Sequence, residues 1–97
     1  MIEEKKRFLL SLVVSGRVQG VGFRYFTLHR ARAHGITGWV KNRYDGKVEI
    51  EAEGSRGRLL LFLEDVRNGP AASRATHVSE DWVETESSRH STFDVVY

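Results

Sequence analysis

The sequence contains no cysteine. Disulfides, thiolate nucleophiles and Cys-ligated zinc are therefore excluded. It has a single proline, Pro70, which argues against a long disordered tail. No apolar stretch reaches the roughly 18 residues that a membrane-spanning helix needs, so no membrane span is expected. Phe8–Leu9–Leu10 after Lys5–Lys6–Arg7 briefly resembles the opening of a signal peptide. Ser11, Ser15, Gly16 and Arg17 break that run, and no small-residue cleavage pattern follows. A soluble cytoplasmic protein is the expectation, in keeping with the missing thiols. At 97 residues the chain is also too short for a two-domain dinucleotide-binding enzyme.

What remains is an ordinary globular composition, 40% hydrophobic and 29% charged, which predicts a single domain spanning residues 1–97. The net charge of +2 is too small for the strong field of a nucleic-acid binder. It is unevenly spread: residues 1–50 carry ten basic and four acidic groups, whereas residues 51–97 carry five and nine. The basic half favours an anionic ligand locally.

Phe8 to Ser15 alternates, with Phe8, Leu10, Leu12 and Val14 on one side, and predicts a central strand. Gly16 ends it. The segment Gly16–Arg17–Val18–Gln19–Gly20–Val21–Gly22 reads as a glycine-rich loop, and Phe23 to His34 as a helix whose face carries Phe23, Thr27, Ala31 and His34. Gly35 is a candidate C-cap.

Thr37 to Asn42 predicts a short strand and Tyr44–Asp45–Gly46 a turn, with Gly46 at positive φ. Lys47 to Glu53 returns with strict alternation, Val48, Ile50 and Ala52 inward and Lys47, Glu49, Glu51 and Glu53 outward. Ser55 is a candidate N-cap for a helix whose stripe is Leu59, Phe62, Leu63 and Val66; Gly69–Pro70 stops it. Strands over Thr76 to Glu84 and Thr92 to Tyr97 complete the chain. This order predicts an α+β, ferredoxin-like split β-α-β sandwich: an antiparallel sheet of four to five strands with two helices on one face.

The loop from Gly16 to Gly22 joins a strand to a helix N-terminus. Successive amides in such a loop can surround an anion, and the helix adds its free N–H groups and its dipole. Arg24 falls in the first helical turn, where the dipole disfavours a cation. A phosphate held by the loop would reverse that cost, and a guanidinium can clamp two of its oxygens. The glycine spacing matches neither G-x-x-x-x-G-K-[ST] nor G-x-G-x-x-G. On pattern alone the loop is an oxyanion cradle or a structural turn, with no choice between them. The four histidines form no HExxH arrangement, and Asp45 is better explained by turn chemistry than by a metal, so no metal site is expected.

The run Gly16–Arg17–Val18–Gln19–Gly20–Val21–Gly22–Phe23–Arg24 resembles the signature loop of the acylphosphatase family. Gly38–Trp39–Val40–Lys41–Asn42 followed by Asp45–Gly46–Lys47–Val48 resembles its second signature. The resemblance implies a metal-independent, cofactor-free enzyme; a monomer is the simple expectation. It would hydrolyse acyl phosphates to carboxylate and inorganic phosphate, with inorganic phosphate or sulfate as the expected bound anion.

By the same resemblance Arg24 and Asn42 are the catalytic pair. Arg24 would bind phosphate and Asn42 would orient the attacking water. The amides of Arg17, Val18, Gln19, Gly20 and Val21 would surround the phosphate oxygens. Gly16, Gly22 and Gly46 would shape the backbone around the site, and in some members the final carboxylate, here that of Tyr97, lies near the arginine. The competing classes are a nucleic-acid-binding module and a noncatalytic accessory domain of a larger protein. The central strands carry Val13, Val14, Val48 and Ile50 where RNA binders of this topology carry aromatic platforms, which argues against the first.

Overall fold

The computed structural model describes residues 6–86 and 88–97. The element order is β1 (Arg7–Arg17), α1 (Phe23–Ala33), β2 (Thr37–Asn42), β3 (Val48–Gly54), α2 (Arg56–Asn68), β4 (Arg74–Thr85) and β5 (Phe93–Val96). The strands form one sheet in the order β4-β1-β3-β2-β5. Both helices pack on one face of it, and the fold is the expected ferredoxin-like α+β sandwich.

The alternation of β1 and β3 builds the core. Leu10, Leu12 and Val14 of β1 sit opposite Ala52, Ile50 and Val48 of β3, and all six are buried. Phe23, Thr27 and Ala31 of α1 and Leu59, Phe62, Leu63 and Val66 of α2 close over them. Ser55 caps α2 as the sequence predicts, its hydroxyl accepting from Arg58 N at 3.4 Å. Leu60 and Leu61 lie outside the buried stripe and are exposed.

Three features differ from the sequence expectation. The sheet is mixed rather than wholly antiparallel, because β5 pairs with β2 in parallel (Gly38 opposite Phe93, Lys41 opposite Val96). Chain direction is not encoded in a four-residue strand; it follows from the long connection that carries the chain from one sheet edge to the other. Strand β1 also continues past Gly16 to Arg17, with a bulge between Ser15 and Gly16 against β4.

Finally, Glu53 points to the second face as its parity requires, yet it is fully buried. Its carboxylate accepts the backbone N–H groups of Arg89 and His90 at 3.0–3.2 Å. Glu51 beside it holds His90 Nε2 at 2.6 Å. The β4–β5 connection is thereby fastened over that part of the sheet, which satisfies an otherwise costly buried charge.

Asp65 of α2 ties the helices together, accepting from Arg30 Nε at 2.8 Å and meeting His34 Nε2 at 2.7 Å. Burial opposes ionisation of this carboxyl, but the bonds from Arg30 and His34 outweigh it and hold its pKa below the usual carboxylate value.

Candidate functional site

The site is built where the bulged end of β1 releases the chain into the loop before α1. Gly16 sits there at φ 115°. A Cβ at this position would overlap the Arg74 carbonyl oxygen and lie 2.8 Å from Thr76 N, so only glycine lets β1 run this close to β4. Arg17 still belongs to the ladder, opposite Arg74, and its side chain is exposed. Val18 turns its side chain into the core, 1% exposed, and anchors the loop.

Gly20 and Gly22 adopt φ of 73° and 79°. Gly22 is the residue from which α1 starts, with no side-chain cap and no acidic residue in the first turn. Phe26 N is the first helical amide to find a carbonyl, that of Gly22 at 3.0 Å. Among the described residues the amides from Val18 to Tyr25 donate to no backbone carbonyl in the turns and loops. The loop and helix start thus present a run of uncommitted donors.

Gln19 contributes differently from its neighbours. Its side-chain Nε2 donates to the carbonyls of Arg43 at 2.6 Å and Lys47 at 2.9 Å, clamping the loop to the β2–β3 turn. That turn is closed by Arg43 N to Lys47 O at 2.8 Å, by Asp45 Oδ1 accepting from Lys47 N at 3.2 Å, and by Gly46 at φ 92°. The hydrogen bond from Lys47 holds the Asp45 carboxyl below its ordinary pKa, with Arg43 Nη2 at 2.9 Å adding to the effect. The hairpin is therefore fixed relative to the loop, and with it Asn42, the last residue of β2.

A cavity of about 150 Å³ collects these parts. Its walls are Val18, Gly20, Gly22, Phe23, Arg24, Tyr25 and Asn42. Asn42 Oδ1 is buried there without a hydrogen-bond partner, and an orphaned buried acceptor is a costly arrangement unless something donates to it. Beyond Asn42 a wider cleft of about 730 Å³ opens between Gln19, Lys41, Tyr44 and Tyr97.

Of the residues singled out in the sequence, Val18, Gly20, Gly22, Arg24 and Asn42 line the small cavity. Gly16, Arg17, Gln19, Val21 and Gly46 do not; Gly16 lets β1 approach β4, Gln19 clamps the loop to the hairpin and Gly46 forms the hairpin turn.

Tyr25 was not read as a site residue, and Tyr97 was read only for its final carboxylate. The Arg24 guanidinium lies 4.8 Å from the centre of the Tyr97 ring, so Tyr97 meets Arg24 through its ring. The Tyr97 hydroxyl is 2.9 Å from that of Tyr25. That hydrogen bond raises the Tyr25 pKa above its ordinary value, and the nearby Arg24 charge offsets it only in part. Tyr25 follows Arg24 directly in a first helical turn, which is a local signal. The ring and hydroxyl contacts of Tyr97 had none, because their partners lie more than seventy residues away.

Comparison with known proteins bears on this geometry. A family model described as Acylphosphatase matches residues 10–95. An acylphosphatase of Bacillus subtilis (strain 168) is 48% identical over 89 residues, a match that spans 89% of this chain and 93% of that protein. The crystal structure of acylphosphatase from Bacillus subtilis superposes with a TM-score of 0.85 at 46% identity, covering 93% of this chain and 99% of that one. An acylphosphatase structure from Coxiella burnetii gives 0.84 at 35% identity and covers 97% of each chain.

Proposed function

The chain belongs to the acylphosphatase family, and on that premise we propose that it is a hydrolase that splits acyl phosphates into carboxylate and inorganic phosphate by direct attack of water on phosphorus. The amides of the loop and of the first turn of α1 bind the equatorial oxygens. Arg24 binds them from the first helical turn, its positive charge matched by the phosphoryl group. Asn42 Oδ1 accepts a hydrogen bond from the attacking water and turns the water's lone pair toward phosphorus, opposite the departing carboxylate. The new bond forms from water oxygen to phosphorus as the bond from phosphorus to the acyl oxygen breaks, and the carboxylate leaves with that electron pair. A phosphoryl oxygen takes the water proton.

A carboxylate is a good leaving group and needs no general acid. Positioning and electrostatic stabilisation are what the protein has to supply, and backbone donors with one arginine supply them. No side-chain nucleophile, metal or cofactor takes part. Inorganic phosphate, the product, occupies the same loop, and the cytoplasm is the proposed location.

The observation that carries this reading is Asn42, whose Oδ1 has no hydrogen-bond partner, on the wall of the cavity that Arg24 and the loop also line. The test is hydrolysis of a chromogenic acyl phosphate in the presence of a chelator, with a phosphomonoester as control. Cleavage of the first alone is expected. Equal cleavage of both, or activity only on adding a metal, would overturn the assignment.

A further inference from the structure

Away from the proposed active site, a second cavity of about 230 Å³ lies at the start of α2, lined by Arg7, Gly35, Gly54, Ser55 and Arg58. Among the described residues its charged side chains are the two arginines. Among the described residues neither Arg7 nor Arg58 makes an ion pair. Arg7 Nε is a buried donor without a hydrogen-bond partner. The cavity has room for about seven waters at roughly 30 Å³ each, ample for a tetrahedral oxyanion.

The backbone is shaped to admit the second arginine. Gly35 lies at φ 69° directly after α1, and a Cβ there would stand 2.6 Å from Arg58 Nη1. The Arg58 side chain thus lies against a glycine that leaves room for it, and it forms one wall of the cavity while remaining exposed.

The electrostatics argue for a ligand. Arg56 and Arg58 both fall in the first turn of α2, which holds no acidic residue, so the positive end of the helix dipole meets two cations. Arg56 is turned aside onto the rings of Trp82 and Phe8, at 5.0 and 5.9 Å. Arg7 and Arg58 remain on the walls of one cavity, two like charges, and Arg7 adds a buried donor without a partner. An anion between them offsets the like charges, and a dianion of phosphate geometry matches the fork of each guanidinium.

We infer that the cavity bounded by Arg7, Arg58, Gly35 and Gly54 is a second oxyanion site, separate from the loop at Arg24, for phosphate or the phosphate group of a small phosphorylated molecule. This inference does not depend on the proposed reaction, since it uses none of the residues assigned to it.

The test is a titration of ¹⁵N-labelled protein with inorganic phosphate and, separately, with glycerol 3-phosphate, following amide shifts by NMR. Carrying Arg24→Ala in the titrated protein silences the loop, so that shifts at Gly35, Gly54 and Ser55 report the second site alone. Saturable shifts there are expected with inorganic phosphate, weakened at least tenfold by Arg58→Ala. Arg7→Lys, which keeps the charge but loses the fork and the buried Nε, should weaken them by a smaller factor.

In the otherwise unaltered protein, Arg58→Ala should keep a dispersed spectrum and full hydrolysis of an acyl phosphate, which separates loss of the site from loss of the fold. If glycerol 3-phosphate moves the same amides with similar affinity, the site takes phosphate groups on organic carriers. If it does not, the site is one for the free anion. Absence of saturable shifts at Gly35, Gly54 and Ser55 with either probe, or shifts unchanged by Arg58→Ala, overturns the inference.

Discussion

Helices α1 and α2 both begin with arginine in the first turn and no acidic residue there, yet their starts are built differently. Ser55 caps α2 and takes up one amide through its hydroxyl. Gly22 starts α1 with no side-chain cap at all. Capping by serine is worth about 1 kcal/mol, so α1 forgoes stability that α2 keeps. What α1 has in exchange is a preceding loop of uncommitted amides and, across a cavity of about 150 Å³, the buried oxygen of Asn42. The contrast separates a helix start closed by a side-chain cap from an uncapped one that opens onto a cavity with Asn42.

The largest expected effect lies at α1. Arg24→Ala should lower acyl-phosphate hydrolysis per folded molecule by about 10³-fold or more, the scale on which an arginine stabilises a transferring phosphoryl group. The equivalent loss at α2, Arg58→Ala, should leave the rate unchanged, and a comparable drop in both would erase the distinction between the two starts. Next, Asn42→Ala should reduce turnover by about 10²–10³-fold, the cost of one oriented polar group in such a site. Affinity for inorganic phosphate, measured by competition, should stay near the parent value. Weaker phosphate binding with intact turnover would reverse the assigned roles.

Gly16→Ala tests the scaffold below the loop. Its positive φ alone should cost about 1–3 kcal/mol in denaturant unfolding, with more from the clash against the Arg74 carbonyl oxygen. Ser55→Ala should cost about 1 kcal/mol of stability and nothing in rate.

The smallest effect is expected at Asp65→Asn, up to about 1 kcal/mol, because the pair with Arg30 is partly solvent-exposed. The folded pKa of Asp65 is depressed. Its contribution is therefore complete above the unfolded value of about 3.9 and fades as pH falls through the lower folded value. The stability difference between parent and variant should close in strong acid; a gap that widens there would contradict the sign.

Much of the fold was legible because it rests on local periodicity. Val48, Ile50 and Ala52 announce a half-buried strand, and Leu59, Phe62, Leu63 and Val66 a helical stripe. Ser55 announces a cap by its chemistry. The parallel setting of β5 was not legible, since it depends on where a long connection delivers four residues. Nor was the burial of Glu53. Its partners are main-chain amides of Arg89 and His90, 36 and 37 residues along the chain, and those amides have no side-chain signature.

At the site, the glycines and Arg24 stood out as local anomalies: a loop that tolerates positive φ, and a cation at the wrong end of a helix. Asn42 entered through the family resemblance. Its unpaired oxygen and its place opposite Arg24 are tertiary facts, as are the clamp made by the Gln19 side chain and the ring of Tyr97 over the guanidinium.

The measurement that bears most directly on the site is a crystal structure of the protein grown in inorganic phosphate. The account predicts phosphate in the cavity between Gly20, Gly22 and Arg24, its oxygens accepting from the loop amides and the guanidinium, and a water held by Asn42 Oδ1 in line with phosphorus. Phosphate bound elsewhere while that cavity holds only solvent, or Asn42 turned away from a phosphate bound there, would contradict it.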